Sequence, residues 1–205
     1  MSDVTQSNSK ILLDSSYRKY WWIAALVLLT CAPFLGFYPI FLMKLLCFAI
    51  FACAFNLLIG YTGLVSFGHA AFFGMAAYVT GWLAASTGAT PEVAIFGGVA
   101  AASILAFVVG LVSIRRQGIY FAMITLALAQ LVYFVCLQMP FTGGEDGLQR
   151  VPRGELFGII PLQSDLSMYF FILTIFLAVF ALLVRIVHSP FGQLLKAVRE
   201  NEQRT

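Results

Sequence analysis

The sequence is short of charge. Only 10% of its 205 residues are Asp, Glu, Lys or Arg, against about 25% in a soluble globular domain. With 61% hydrophobic residues, that shortage excludes a soluble domain with a sizeable core and indicates an integral membrane protein. The apolar runs contain no Asp or Glu. A proton- or sodium-coupled carrier usually needs a carboxylate near the bilayer midplane, so the absence counts against secondary transport. A phosphate-binding loop is also missing. None of Lys10, Lys19, Lys44 and Lys196 precedes Ser or Thr or ends a G-x-x-x-x-G-K pattern. If transport is active, its energy comes from another chain. The basic residues are scattered at segment ends, with no nucleic-acid surface among them. Cys31, Cys47, Cys53 and Cys136 all fall in apolar runs with no C-x-x-C spacing. They read as small apolar thiols, not as a metal site or a disulfide framework.

What is present is long apolar runs. Six stand out, at about 20–38, 40–58, 64–85, 93–114, 119–138 and 166–187. Each holds roughly 20 residues, which at 1.5 Å per residue gives about 30 Å, one hydrocarbon thickness. The expected fold class is therefore all-α, a polytopic transmembrane bundle with about six spans. Glycines in the third run allow a broken or re-entrant helix there instead. Arg18 and Lys19 precede the first run, as in a signal peptide. That run is long enough to span, and LLTCAP at 28–33 is a poor cleavage site, so a retained first helix is expected.

Charge placement sets the orientation. With an internal N-terminus, Lys10, Arg18, Lys19, Arg115, Arg116, Arg185, Lys196, Arg199 and Arg204 are cytoplasmic or at that interface. Only Arg150 and Arg153 are clearly outside, in keeping with the positive-inside rule. Tyr17, Tyr20, Trp21 and Trp22 form an interfacial belt at the start of the first span. Phe37, Tyr38 and Phe41 mark its exit, and Trp82 lies near the outer end of the third. Lys44 sits close enough to the outer end of the second span to snorkel. The division is a cytoplasmic tail over 1–19, a transmembrane domain over 20–188 and a cytoplasmic segment over 189–205. The one long loop, 139–165, is external and too short for a domain.

Residues 60–74, GYTGLVSFGHAAFFG, concentrate Gly60, Gly63, Gly68 and Gly74 beside Ser66 and His69. Ser66, Ala70 and Gly74 recur every four residues. Gly74, Ala77, Gly81 and Ala84 continue a small-residue face at helical spacing. Such a face lets helices pack closely, and it can also line a path for a small polar solute. His69 reads either as a hydrogen-bonding contact to a neighbouring helix or as a polar group on the path. A serine–histidine dyad is disfavoured, because the order around Ser66 is not G-x-S-x-G and two members one turn apart have poor attack geometry.

After the sixth run, Ser189 suits an N-cap and Pro190 a first helical position. Phe191, Leu194, Leu195 and Val198 fall at i, i+3, i+4 and i+7, with Lys196, Arg199, Glu200 and Glu202 around them. An amphipathic helix of this kind either lies on headgroups or docks into a groove on a cytoplasmic partner. The mixed charge favours docking, since a lipid-binding helix would be more uniformly basic.

Four stretches now carry a resemblance: NLLIGYTGLVSFGHAAFFGMAAY at 56–78, RQGIYFAMITLALAQ at 116–130, TGGEDGL at 142–148 and SPFGQLLKAVRENE at 189–202. The chain resembles the permease subunit of branched-chain amino acid ABC importers, of the LivM type. The resemblance implies that the 189–202 helix is the coupling segment on the ATPase, through Ser189, Pro190, Phe191, Gly192, Leu195, Arg199, Glu200 and Glu202. It places Gly60, Gly63, Ser66, Gly68, His69 and Gly74 near the translocation path. Thr142, Gly143, Gly144 and Gly147 would face a periplasmic solute-binding protein or close the outer end of the path. The implied setting is a bacterial inner membrane, with a second permease subunit, ATPase subunits that bind the ATP, and no cofactor in this chain. The chain itself would catalyse no bond chemistry. Family members usually continue past the coupling segment with further spanning helices, whereas this sequence stops at Thr205. Urea and short-amide importers use permeases with similar motifs and form the nearest alternative. A zwitterionic amino acid needs partners for its carboxylate and its ammonium. Helix N-termini can hold the carboxylate, so the lack of buried acids is compatible with leucine. A secondary carrier or a non-transporting assembly subunit is the reading from a different class.

Overall fold

The computed structural model describes residues 20, 24, 26–115, 118–149, 151–156, 158 and 160–200. The tail over 1–19, Trp21, Trp22, Arg116, Arg150, Glu202 and Arg204 lie outside the described residues, with the expectations placed on them. In chain order the helices are α1 (Leu26–Leu35), α2 (Pro39–Leu57), α3 (His69–Ser86), α4 (Pro91–Ser113), α5 (Ile119–Gln138), α6 (Asp165–Val187) and α7 (Pro190–Glu200). Proline opens α2, α4 and α7, where its missing N–H costs no hydrogen bond. Glu92 and Asp165 sit in the first turns of α4 and α6, facing the positive end of each helix dipole.

The fold is an all-α polytopic membrane bundle. Pro39–Thr62, Pro91–Ser113, Ile119–Gln138 and Asp165–Val187 are each long and apolar enough to cross a bilayer. The third expected span departs from its sequence reading. It begins at His69, not at residue 64, and its 18 residues rise about 27 Å. Ser66 therefore precedes the helix and shares no helical face with Ala70 and Gly74.

Two packed groups build the bundle. Leu42, Met43 and Leu46 near the start of α2 meet Tyr169 and Leu173 near the start of α6, with Ala32 of α1 beside them. Tyr169 is fully buried, and its hydroxyl donates to the Leu29 carbonyl at 2.5 Å. α2 and α6 therefore run parallel. The second group is the α3–α4 hairpin. Gly98 lies so close to Thr80 and the Ala76 carbonyl, and Gly97 so close to Leu83, that a Cβ at either would collide. Small residues thus set the helix separation, as expected where lipid supplies no hydrophobic drive between helices. The face of α3 used is Ala76–Thr80–Leu83, and not the expected Gly74–Ala77–Gly81–Ala84 series. Outward side chains such as Phe96, Ile104, Phe107 and Leu111 on α4 are apolar and exposed, as a lipid-facing surface requires.

The connections alternate between two ends. Among the described residues, one end carries 58–68, 114–115, Gly118 and α7. The other carries the turns at 36–38 and 87–90 and the described part of the loop between α5 and α6. That loop holds a short antiparallel hairpin, β1 (Glu155–Leu156) and β2 (Ile160–Pro161), with Glu155 opposite Pro161 and Leu156 opposite Ile160.

Candidate translocation path

The glycine-rich stretch is where the second span stops being an α-helix. α2 runs on as a π-turn over Leu58–Thr62. The Thr62 hydroxyl donates back to the Leu58 carbonyl at 2.6 Å, and Gly63 at φ +72° closes the helix with its N–H on the Ile59 carbonyl. A left-handed residue at this position is the usual helix stop, and glycine takes it without strain. Residues 63–68 are irregular. Inside a membrane such backbone needs internal partners. The Phe67 N–H finds the Thr125 hydroxyl of α5 at 3.2 Å, and that hydroxyl donates to the Ala122 carbonyl at 2.9 Å. The Gly68 N–H donates to the Ser66 hydroxyl at 3.2 Å, and Ser66, Gly68 and Thr125 are all buried.

From this anchor α3 and α5 run side by side with a cavity of about 360 Å³ between them. Ala70, Gly74, Met75 and Tyr78 line one wall, and Leu126, Ala129, Gln130 and Tyr133 the other. A Cβ on Gly74 would meet nothing within 4 Å, so glycine here widens the groove. Gln130 and the two tyrosines are the polar groups on an otherwise apolar lining. A second cavity of about 350 Å³ lies nearer α7, lined by Gly63, Leu64, Val65, Phe67, Gly118, Ile119 and Ala122.

His69 is not among the groove-lining residues. Its ring packs edge-on against Phe55 of α2 at 5.3 Å and Phe72 at 5.9 Å, continuing a seam of Phe48 and Phe51 against Phe73. Its Nδ1 is buried without a hydrogen-bond partner among the described residues.

At the loop end, the buried Thr142 hydroxyl lies between the Cys136 and Met139 carbonyls, closing the last turn of α5. Gly143, Gly144 and Gly147 all have positive φ. A Cβ on Gly143 would strike the Gly147 carbonyl. This tight turn brings Leu148 and Val151 onto Gly81 of α3, and Phe141 onto Trp82 at 6.2 Å. The loop thus folds over the same end of α3 that carries the upper groove wall.

At the other end, α7 turns back under the bundle. Gly192 is buried against the Ile186 and Val187 carbonyls, and a side chain there would block the corner. Ser189 does not cap α7 with its side chain as the sequence reading expected. Its hydroxyl donates to the Ile186 carbonyl at 2.7 Å, finishing α6, while its own carbonyl accepts the Gly192 N–H. Arg199 donates to the Gly60 carbonyl at 2.6 Å, and Lys196 lies 5.0 Å above the Tyr61 ring. Gly60 belongs to the last turn of its helix, whose carbonyls lack helical partners and carry the negative dipole end, so two cations suit it. Phe191 and Leu194 remain 59% exposed. Leu195 is half-buried. The side chains of Val198 and Glu200, and all of Glu202, lie outside the described residues.

The expected path residues therefore separate into four groups, with His69 alone in the aromatic seam of Phe55 and Phe72. Gly60 and Gly63 meet α7, Ser66 and Gly68 brace the irregular segment on α5, and Gly74 lines the groove. Sequence reasoning missed Phe67, Thr125 and Gln130. A threonine and a glutamine inside an apolar run were the available signals for two of them.

The family described as the permease component of branched-chain amino acid transport systems matches residues 37–205. Among curated relatives, a high-affinity branched-chain amino acid transport system permease protein, LivM of Escherichia coli K12, is 27% identical, covering 90% of this chain and 49% of that protein. Its counterpart in Salmonella typhimurium LT2 is 26% identical with the same coverage. The chain spans about half the length of these relatives. No solved structure matches. With the family match running over 37–205 and so taking in α2 to α7, this protein belongs to the branched-chain amino acid transport permease family.

Proposed function

We propose that the chain is one permease subunit of an ATP-driven importer that moves branched-chain amino acids across a bacterial inner membrane. Arg115, Arg185, Lys196 and Arg199 lie at the α7 end, and Arg153 lies at the loop end, a distribution that supports a cytoplasmic α7 and N-terminus under the positive-inside rule. The α3–α5 groove is one wall of the solute path, and a second permease subunit completes it. Gln130, Tyr78 and Tyr133 offer hydrogen bonds to the polar ends of an amino acid, and Met75 and Leu126 offer apolar surface to its side chain. The loop over 139–164 faces a solute-binding protein. ATPase subunits, which bind the ATP, receive α7. This chain contributes different affinities for solute in its inward and outward states, not bond chemistry.

The observation that supports this most directly is the split character of α7. Its cations hold the end of α2, while Phe191 and Leu194 point away from the bundle and are bare. That is the surface a cytoplasmic partner's groove takes from an amphipathic helix. Replacing both Phe191 and Leu194 with serine is expected to abolish co-purification of the ATPase subunits while leaving membrane insertion unchanged. ATPase retained at the wild-type level by that double variant removes the coupling role.

A further inference from the structure

Phe67 is the one described residue that lines both the α3–α5 groove and the cavity nearer α7. Its ring is about half exposed, at 51%, in a segment that is otherwise pinned. Ser66 before it and Gly68 after it are buried, and its own N–H is fixed to Thr125 of α5. The same segment reaches α7. A Cβ on Gly63 would lie 3.0 Å from Arg199 Cγ, and Arg199 also holds the Gly60 carbonyl. Backbone at 60–68 is therefore attached at one end to the helix we assign to the ATPase and carries at the other a large ring between two cavities. The π-turn and irregular backbone lack the continuous hydrogen-bond ladder that makes a helix move as a rod, so this stretch can yield locally.

We propose that Phe67 is the gate of the path. Its ring closes the passage between the groove and the cytoplasmic cavity, and a shift of α7, carried through Arg199 onto Gly60 and Gly63, withdraws it. The proposal rests on the groove being the solute path.

The test is thiol accessibility in right-side-out vesicles from cells making the chain with its partner subunits. The four native cysteines are replaced by alanine. A single cysteine is introduced by Ala129→Cys in the groove or by Ala122→Cys in the cytoplasmic cavity. A membrane-impermeant maleimide is then added from the loop side without nucleotide. The gate predicts that Ala129→Cys reacts and Ala122→Cys is protected. Phe67→Ala should abolish that protection, and Phe67→Trp should retain it. Labelling of Ala122→Cys with Phe67 intact overturns the gate. So does continued protection in Phe67→Ala while Ala129→Cys still reacts, a combination that also shows the variant to be folded. An Ala129→Cys that reacts in no background overturns the groove as the path, and the gate with it. No solute takes part, so a wrong substrate assignment leaves the labelling pattern unchanged and is told apart from failure of the gate.

Discussion

Glycine does three separate jobs in this chain, and each has its own consequence on substitution. At Gly98 it permits helix contact, at Gly74 it leaves space, and at Gly143 it permits a backbone shape. The last is the most demanding, because φ is +82° and a Cβ would also strike the Gly147 carbonyl. Gly143→Ala is expected to lower stability by roughly 1–3 kcal/mol, read as a fall in the thermal midpoint of detergent-solubilised protein. Gly74→Ala serves as the control and should leave the midpoint unchanged or raise it slightly, since nothing lies within 4 Å and alanine favours a helix interior. Equal effects of the two changes would remove the loop-geometry argument. His69 illustrates what residue identity alone leaves open. A lone histidine within an apolar run is open to a contact with a neighbouring helix or a place on the path, the first being the commoner use. The aromatic seam with Phe55 and Phe72 puts its ring on the α2 side of α3, and only coordinates carry that information.

At the scale of elements, the instructive unit is the end of α2 with α7 laid against it. The amphipathic stripe of α7 was legible from spacing alone, since charge and apolar residues alternate at 3.6 residues there. The docking site of its cations was not. Gly60 and Gly63 read as path residues because glycines in an apolar run have several uses, and the run shows nothing of what lies beside it. Arg199→Ala removes a charge-assisted bond whose net worth is about 1–2 kcal/mol at a partly exposed site. Substrate-stimulated ATP hydrolysis by the assembled complex should fall, with subunit assembly intact. Arg199→Lys should recover part of it, because the charge at the helix end survives although the planar fork is lost. Undiminished stimulation in Arg199→Ala excludes this contact from the coupling route. The break at 63–68 was half legible. Glycine content allowed an interrupted helix, but its length depended on Thr125, a residue on another helix 58 positions away.

For the whole molecule, helical class followed from apolar run length, a property every bilayer imposes, and four of the six expected runs form helices long and apolar enough to cross among the described residues. Which faces meet did not follow. α2, α3 and α5 are apolar all round, so the periodicity that orients a helix in a soluble protein carries little signal here. Close packing depends on Gly97 and Gly98 finding Thr80 and Leu83, and the groove on α5 standing off from Gly74. The account's central claim is that this groove carries a branched-chain amino acid. The measurement that tests it is uptake of labelled leucine in cells carrying the chain or its Gly74→Leu variant, with isoleucine, valine and urea as competitors. The account predicts uptake that isoleucine and valine suppress and urea does not, and that Gly74→Leu abolishes without loss of the protein from the membrane. Leucine uptake unchanged by Gly74→Leu would contradict the groove. Leucine uptake independent of the chain, with chain-dependent uptake of urea in its place, would contradict the substrate and leave an amide importer of the same architecture.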